Sequence, residues 1–520
     1  MRFVRCRLAP AAQLMSITTM PPSRVREGPR GWSDARSVAE RFALPAILVV
    51  AAVNFFWQLG SSSYFIDEAF SVMHSLPALH ALFGLIAHTE TTPYTYFLFL
   101  HEWISRTGSQ AEWVTRLPSA VVGVGFVGAV YWMARVFVQR RVALGVAALC
   151  AISPLIQGYA QEARTYIFLL VAVVIAVGAT GRGVQRTEHQ TAFLTLGALS
   201  AFLSMWIHYI AVGMILPLAV WVATRSSLSW RQRGAFIAVS VAAVGSVLPL
   251  LLEQYSLFPT GGAIFGQINL RNTISVIGTP FGARVGTPID ARTVAGALLV
   301  LFSLAVLLRF RRRPMRERGL LLALGVVGIL GLFVVNLFPD KHILITRYTV
   351  ETGPFLVTAI AAACAQLPRP AAATLAAGTV AVSSAGLVVN HSRSGFWPPV
   401  KQAIEYVAPR ERPGDFLLSP GFPLTDVPIF YYVTHTPLIR PKIYVFGLAP
   451  LSLRTPGVRD AFRRYKRIWI IDHPRSATPA AAVRAVQPLL HRYHRLAVDV
   501  RAYSTSINLG VMLAVPANGR

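Results

Sequence analysis

The chain reads as an all-α, multi-pass membrane protein with a small C-terminal α/β domain outside the membrane, and three observations lead there. Of its 520 residues, 54% are apolar and 14% charged, against about 25% charged in ordinary soluble domains. Apolar segments of bilayer-spanning length recur across residues 42–390. Beyond Asn390 they stop, and short apolar runs separated by Pro and Gly replace them.

The first 41 residues carry eight Arg, the tandem Pro21-Pro22 and no apolar periodicity, which predicts a disordered basic tail on the cytoplasmic side. The apolar run that follows is too long for a cleavable signal and lacks a small-residue cleavage site. Residues 42–60 form an uncharged segment of 19 residues, close to the roughly 20 needed to cross a bilayer core. Further spans are expected at 117–134, 142–160, 165–181, 191–207, 210–224, 234–252, 293–308, 319–338, 349–367 and 371–390, about eleven in all. An odd number places the termini on opposite sides.

Basic residues set the orientation. With the N-terminus inside, five short cytoplasmic loops hold fifteen Arg, including Arg140, Arg141, Arg225 and the cluster from Arg309 to Arg318. The longer opposite loops hold eight basic residues: Arg106, Arg116, Arg164, Arg271, Arg284, Arg292, Lys341 and Arg347. That asymmetry is the positive-inside signature of a plasma (inner) membrane protein with its C-terminal domain extracytoplasmic. Tyr94 to Ile104 is apolar but short, and it contains His101 and Glu102, so an interfacial helix is expected there and not a span. Two sizeable external loops result, 61–116 and 253–292; the second contains Gly261-Gly262 and reads as a flexible lid.

Residues 391–520 carry the runs Phe416-Leu417-Leu418, 429–433 and 467–471 between turns, with amphipathic stretches at 400–407 and 480–491, as in a small α/β domain. Its 18 basic and 7 acidic residues do not oppose an external location, because long domains translocate largely regardless of charge. The net charge of +27 is otherwise spread between spans and lines no recognisable binding module, so no nucleic-acid partner is expected. Cys6, Cys150 and Cys364 make neither a disulfide framework nor a thiolate metal site.

Four carboxylates, Asp67, Glu68, Glu90 and Glu162, fall on the external side. Asp67-Glu68 follows the first span directly. Such a doublet either caps and solvates a helix end or works in chemistry at the membrane edge, and Glu162 in a separate external loop favours the second reading. Carboxylates from separate loops, Asp67 and Glu162 foremost, suit a hard cation such as Mg²⁺ or Mn²⁺. One of them can instead take the proton from an attacking hydroxyl. Glu162 paired simply with Arg164 is the structural alternative. Arg164, Lys341 and Arg347 lie at or beside span ends, where they can grip a phosphate or merely snorkel to lipid head groups. His208 and Tyr209 occupy an external hairpin tip, as substrate contacts or an amphipathic anchor. No Walker A loop, Ser-His-Asp order or Cys/His metal spacing is present, which leaves nucleotide-driven pumping and soluble-hydrolase chemistry without support.

A set of short motifs resembles the GT-C glycosyltransferases that use polyprenyl-phosphate sugars, in particular the protein-mannosyltransferase-like and lipid A aminoarabinose-transferase-like branch. The set is Phe65-Ile66-Asp67-Glu68-Ala69-Phe70, then Glu90-Thr91-Thr92-Pro93-Tyr94-Thr95-Tyr96 with His101 and Trp103, then Arg116-Leu117-Pro118-Ser119, then Ser153-Pro154 leading to Gln161-Glu162-Ala163-Arg164-Thr165-Tyr166, and later Arg347-Tyr348. The resemblance covers about 42–390 and is densest in 61–170. It departs from the family at Thr92 to Tyr96, where Pro-Pro-Leu-Tyr-Tyr is usual.

The resemblance implies a GT-C-like fold and an inverting transfer at the external face, from a polyprenyl-phosphate-linked sugar to the hydroxyl of a lipid, glycan or protein acceptor. Asp67 and Glu68 become the catalytic carboxylates. Glu90, Arg164, His208, Tyr209, Lys341, Arg347 and Tyr348 become substrate contacts, and Glu162 matches the family's second-loop acid. A lipid-sugar flippase and a non-catalytic partner in cell-envelope assembly are the alternatives.

Overall fold

The structure, a computed structural model, describes residues 30–257, 266–281, 291–310, 315, 317–338, 343–392, 399–419, 423–435, 442–445, 464–472, 494–502 and 510–516. The chain divides into a unit ending at Ala43, whose described part is the start of the first helix, and a unit from Leu44 to Arg520 that holds every other element. That helix, α1 (Arg30–Phe56), begins well before residue 42; no Pro or Gly interrupts residues 33–44, so nothing stops the helix at the expected boundary. Residues 1–29 of the expected tail lie outside the described residues.

The segment 61–116, expected as the first external loop, carries three short helices, α2 (Ile66–His74), α3 (Leu79–Thr89) and α4 (Thr95–Thr107). The last of these coincides with the apolar segment 94–104, which is a helix too short to cross a membrane. A long helix, α5 (Glu112–Ala134), then enters the body. The segment expected as one span at 142–160 is broken into α6 (Arg140–Ala151) and α7 (Pro154–Ala160), which meet at 59°. Pro154 causes the break: it has no N–H, its ring excludes the carbonyl four residues back, and it suits the first helical position of α7. Ser153 caps α7 by accepting from the Ile156 amide at 3.4 Å.

The remaining helices of the body are α8 (Tyr166–Gln185), α9 (Gln190–Ile207), α10 (Val212–Ala223), α11 (Trp230–Leu257), α12 (Leu270–Ile277), α13 (Ala291–Arg309), α14 (Arg318–Val335), α15 (Gly353–Gln366) and α16 (Arg369–Ser392). Among the described residues eight helices are long and apolar enough to cross a membrane, or nine with the bent α6–α7 pair; two shorter apolar helices, 41–56 and 209–223, coincide with the remaining expected spans. The helix at 166–185 and the segment at 346–366 are the most enclosed of these. Both carry candidate site residues at or beside one end. Helices approach closely where glycine leaves room: a Cβ on Gly178 would fall 2.4 Å from Trp132, and one on Gly197 would fall 2.2 Å from Thr180. Of the loop expected as a lid, 253–292, residues 266–281 carry α12, and the Gly261-Gly262 pair lies outside the described residues.

The C-terminal region adds α17 (Val400–Val407), α18 (Pro423–His435) and five strands, β1 (Phe416–Ser419), β2 (Lys442–Val445), β3 (Ile468–Asp472), β4 (His494–Ala502) and β5 (Gly510–Pro516). They form a mixed sheet in the order β2-β1-β3-β5-β4. β1 runs parallel to both its neighbours, with Leu417 facing Ile443 and Trp469, while β5 is antiparallel to β3 and β4. The amphipathic stretch expected at 480–491 lies outside the described residues. α2 and α4 share one apolar core with this region, in which Tyr64, Ala69, Val72 and Leu100 are buried with Ile404, Ile429, Tyr432 and Trp469.

Candidate active site

The site is built on α2. Two stripes run along this helix, one turned into the shared core and one turned to the cavity. Glu68, Ala69 and Val72 belong to the first and are fully buried. Asp67 and Phe70, at i and i+3, belong to the second and line the cavity, while Ser71 and His74, at i+4 and i+7 on the same face, are buried against Arg164 and Glu90.

Asp67 and Glu68 are therefore neighbours in sequence with different surroundings. The Glu68 carboxylate, 1% exposed, accepts from Arg116 Nε at 2.8 Å and Nη2 at 2.9 Å, from the Ala163 amide at 2.9 Å and from the Phe65 amide at 3.1 Å. Burial pushes its pKa up, but the Arg116 guanidinium and these donors outweigh burial and hold it below the usual carboxylate range. Glu68, expected as a catalytic carboxylate, instead joins α2, α5 and the 161–165 turn. Arg116 completes the joint by donating to the Leu59, Ser62 and Ser63 carbonyls at 2.9–3.1 Å.

Asp67 faces a cavity of about 160 Å³ lined also by Phe70, Glu90, Arg164, His208 and Arg347. Thr89, Thr91, Thr92, Tyr166 and Tyr348 complete the wall. The Asp67 carboxylate is ion-paired with Arg347. Arg164 donates from Nη1 to the Ser71 hydroxyl at 2.7 Å and the Asp67 carbonyl at 3.1 Å. Burial disfavours its charge, yet Asp67 and Tyr166 raise its pKa further, so it stays cationic. Glu90 is buried and pairs with His74 Nδ1 at 2.9 Å.

His208 is 3% exposed, between the rings of Tyr166 (5.4 Å) and Tyr348 (6.3 Å). Burial, reinforced by Arg164 and Arg347, pushes its pKa down to about 3, so the ring is neutral. Its Nδ1 accepts from the Ile210 amide at 3.3 Å, which assigns the proton to Nε2. Among the described residues, that Nε2, Arg164 Nε and Arg347 Nε are buried N–H donors without a partner. Three cavity-wall residues thus each hold an unused donor, beside two guanidinium charges and two carboxylates.

The other expected residues lie elsewhere. Tyr209 is not in the wall: its hydroxyl donates at 2.8 Å to Gln254 Oε1, and the Gln254 amide holds the Ile86 and Thr92 carbonyls at 3.3 and 3.1 Å. It thereby braces the threonine-rich rim. Glu162 is buried at 7% exposure in the turn beneath α2 and is not among the residues lining the cavity. Lys341 lies outside the described residues. Ser71 and His74 escaped the sequence reading, although their spacing from Asp67 marks them as sharing its face.

The chain has a GT-C-like fold: a multi-span helical body whose loops assemble a carboxylate and guanidinium cavity, next to a small α/β domain. Residues 91–252 match the family described as dolichyl-phosphate-mannose-protein mannosyltransferase. The crystal structure of ArnT from Cupriavidus metallidurans in the apo state superposes over 92% of this chain and 98% of that one, with a TM-score of 0.53 at 14% identity. ArnT bound to undecaprenyl phosphate superposes over 94% and 98%, at 0.51 and 13%. The oligosaccharyltransferase AglB from Archaeoglobus fulgidus, in complex with an inhibitory peptide and a dolichol-phosphate, superposes over 92% and 74%, at 0.52 and 12%. At these identities the likeness is one of fold. No protein of curated function matches the chain by sequence.

Proposed function

We propose that this protein is a membrane glycosyltransferase that moves a sugar from a polyprenyl-phosphate-linked donor to an acceptor hydroxyl at the extracytoplasmic face, with inversion. The observation that carries the reading is the cavity in which Asp67 faces Arg347 and Arg164 while Arg347 Nε, Arg164 Nε and His208 Nε2 hold unpartnered protons. A phosphate suits all three donors, since N–H groups to an anionic oxygen make the stronger class of hydrogen bond. Arg347 has two anions to choose from. With the donor absent it neutralises Asp67; an arriving phosphate competes for the guanidinium and frees the Asp67 carboxylate.

In the transfer step the acceptor oxygen attacks the anomeric carbon from the face opposite the phosphate. Its proton passes to Asp67, the bond from that carbon to the phosphate oxygen breaks, and the departing phosphate keeps the electron pair. Arg347 and Arg164 stabilise the charge as it develops. His208 contributes a neutral donor. The apolar surfaces of the spans would hold the prenyl tail, so the donor enters laterally, and the N-terminus lies in the cytoplasm of a cell bounded by a plasma (inner) membrane.

A divalent cation, Mg²⁺ or Mn²⁺, stays in the proposal on donor chemistry: Asp67 and Glu90 offer hard oxygens on the cavity wall. Among the described residues no three His, Cys, Asp or Glu side chains cluster as a ligand set, and Asp67 is engaged by Arg347, so no step is routed through the ion. Turnover lost to EDTA and restored by Mn²⁺ is the result this part expects.

Full-length protein in nanodiscs, supplied with a radiolabelled polyprenyl-phosphate sugar and candidate acceptors, tests the whole. Release of polyprenyl phosphate by the wild type and its loss in a normally inserted Asp67→Asn variant are expected. Movement of the sugar across liposomes without release would overturn transfer and leave a flippase.

A further inference from the structure

We infer that the C-terminal domain positions Asp67, and that Glu112 and Tyr432 are positioning residues through which it acts. The inference rests on the reading of Asp67 as the acid at the reacting centre. It starts from the shared core: Ala69 and Val72, two residues of the helix that carries Asp67, are buried with Ile404 and Val407 of α17, Ile429 and Tyr432 of α18, and Trp469 of β3. α2 has no separate core of its own. Ala69 and Val72 are held by the C-terminal domain, while Asp67 and Phe70 line the cavity.

Polar contacts at this junction are more specific than apolar packing alone requires. The Tyr432 hydroxyl, 5% exposed as a residue, donates to Glu112 Oε1 at 2.8 Å and accepts from the Tyr64 amide at 2.7 Å. Lys401 Nζ holds the other Glu112 oxygen at 3.0 Å, and the Lys401 amide donates to the Ser63 hydroxyl, also at 3.0 Å. Ser63 in turn donates to Gln402 Oε1 at 3.1 Å. Residues 63 and 64 are thus bound to α17 and α18 immediately before Phe65, the N-cap of α2.

From that strip the order passes inward without a gap. The Tyr64 hydroxyl meets Thr115 at 2.6 Å and donates to the Gln110 carbonyl at 2.8 Å, while its ring lies 5.4 Å from the Arg116 guanidinium. Arg116 holds the Ser63 carbonyl at 3.1 Å and, through Glu68, the first turn of α2. Asp67 is the residue before Glu68. Loosening Tyr432 or Glu112 releases the entry strand of α2, and a swing of that entry displaces the Asp67 carboxylate relative to Arg347. Reaction rates fall steeply with such displacement, since about 1 Å of misplacement can cost about a hundredfold.

The test uses full-length protein in nanodiscs and the variants Tyr432→Phe and Glu112→Gln, which keep side-chain shape, with Arg106→Ala as control because its ion pair with Glu102 is exposed. Hydrogen–deuterium exchange is read over residues 64–74 and over α17–α18, alongside Kd for undecaprenyl phosphate and kcat with a polyprenyl-phosphate sugar. Positioning predicts about tenfold faster exchange across 64–74 in both variants, unchanged Kd, and a kcat reduced at least tenfold; the control is expected to match the wild type. Faster exchange confined to α17–α18, or no change in any segment, overturns the coupling. Faster exchange across 64–74 with unaltered kcat in an active wild type overturns the positioning role. Should the wild type show no transfer at all, the glycosyltransferase reading fails while exchange still decides whether the C-terminal domain holds α2.

Discussion

Replacing Glu68 by Gln distinguishes a structural carboxylate from a catalytic one. In the wild type four donors converge on the two Glu68 oxygens, two of them from Arg116, and both side chains are 1% exposed. Gln presents one oxygen and one NH₂, so one side of the joint sets donor against donor, and the Arg116 charge stays buried without its counter-ion. Breaking a buried pair in this way costs about 3–5 kcal/mol, whereas replacing both partners by apolar groups is often close to neutral. The expected series follows. Glu68→Gln lowers stability by that amount in an SDS titration of the purified protein. Glu68→Gln with Arg116→Met recovers part of it; the Leu59, Ser62 and Ser63 carbonyls, which Arg116 also serves, keep recovery incomplete. A Glu68→Gln protein as stable as the wild type, inactive, and not improved by the second substitution would refute the structural assignment and return Glu68 to the chemistry.

Arg164→Gln and Arg347→Gln are each expected to weaken undecaprenyl phosphate binding about 10- to 100-fold, the worth of one charged hydrogen bond in a buried site, as read by a Kd in nanodiscs. His208→Gln keeps a donor but removes the titration. The wild-type ring, with a pKa lowered from 6.5 to about 3, contributes stability that is complete above pH 6.5 and declines as pH falls towards 3. Between pH 7 and pH 5 that loss is about 2 kcal/mol, so the thermal midpoint should fall less in His208→Gln than in the wild type over this range. Tyr209→Phe is expected to loosen the 89–92 rim and raise KM for the donor with little effect on kcat, because the Tyr209 hydroxyl reaches that rim through Gln254.

Two kinds of information were legible before any coordinates. Apolar length and arginine placement marked residues 42–390 as a membrane body, and the change of pattern after Asn390 marked a separate α/β region, because burial against lipid and burial against protein leave different periodicities. Residue chemistry pointed to Asp67, Glu90, Arg164, His208, Arg347 and Tyr348, which do line one cavity. What chemistry by itself leaves open is which way a side chain faces. Asp67 and Glu68 are indistinguishable as letters, and Tyr209 looks as good a contact as His208.

The break at Pro154 could have been read from Ser153-Pro154, a cap followed by the residue that suits a helix start. The fates of Glu68 and Tyr209 could not, because each depends on a partner more than 40 residues away in the chain: Arg116 and Ala163 for Glu68, Gln254 for Tyr209. The sequence by itself determined that this chain lives in a membrane and carries acids and guanidinium groups in the segments between its spans. Only the tertiary structure decided that successive residues of α2 divide between a buried joint and a cavity, since a helix turns about 100° per residue and the partners on the two sides, Arg116 and Ala163 for Glu68 and Arg347 for Asp67, lie far from α2 in the chain.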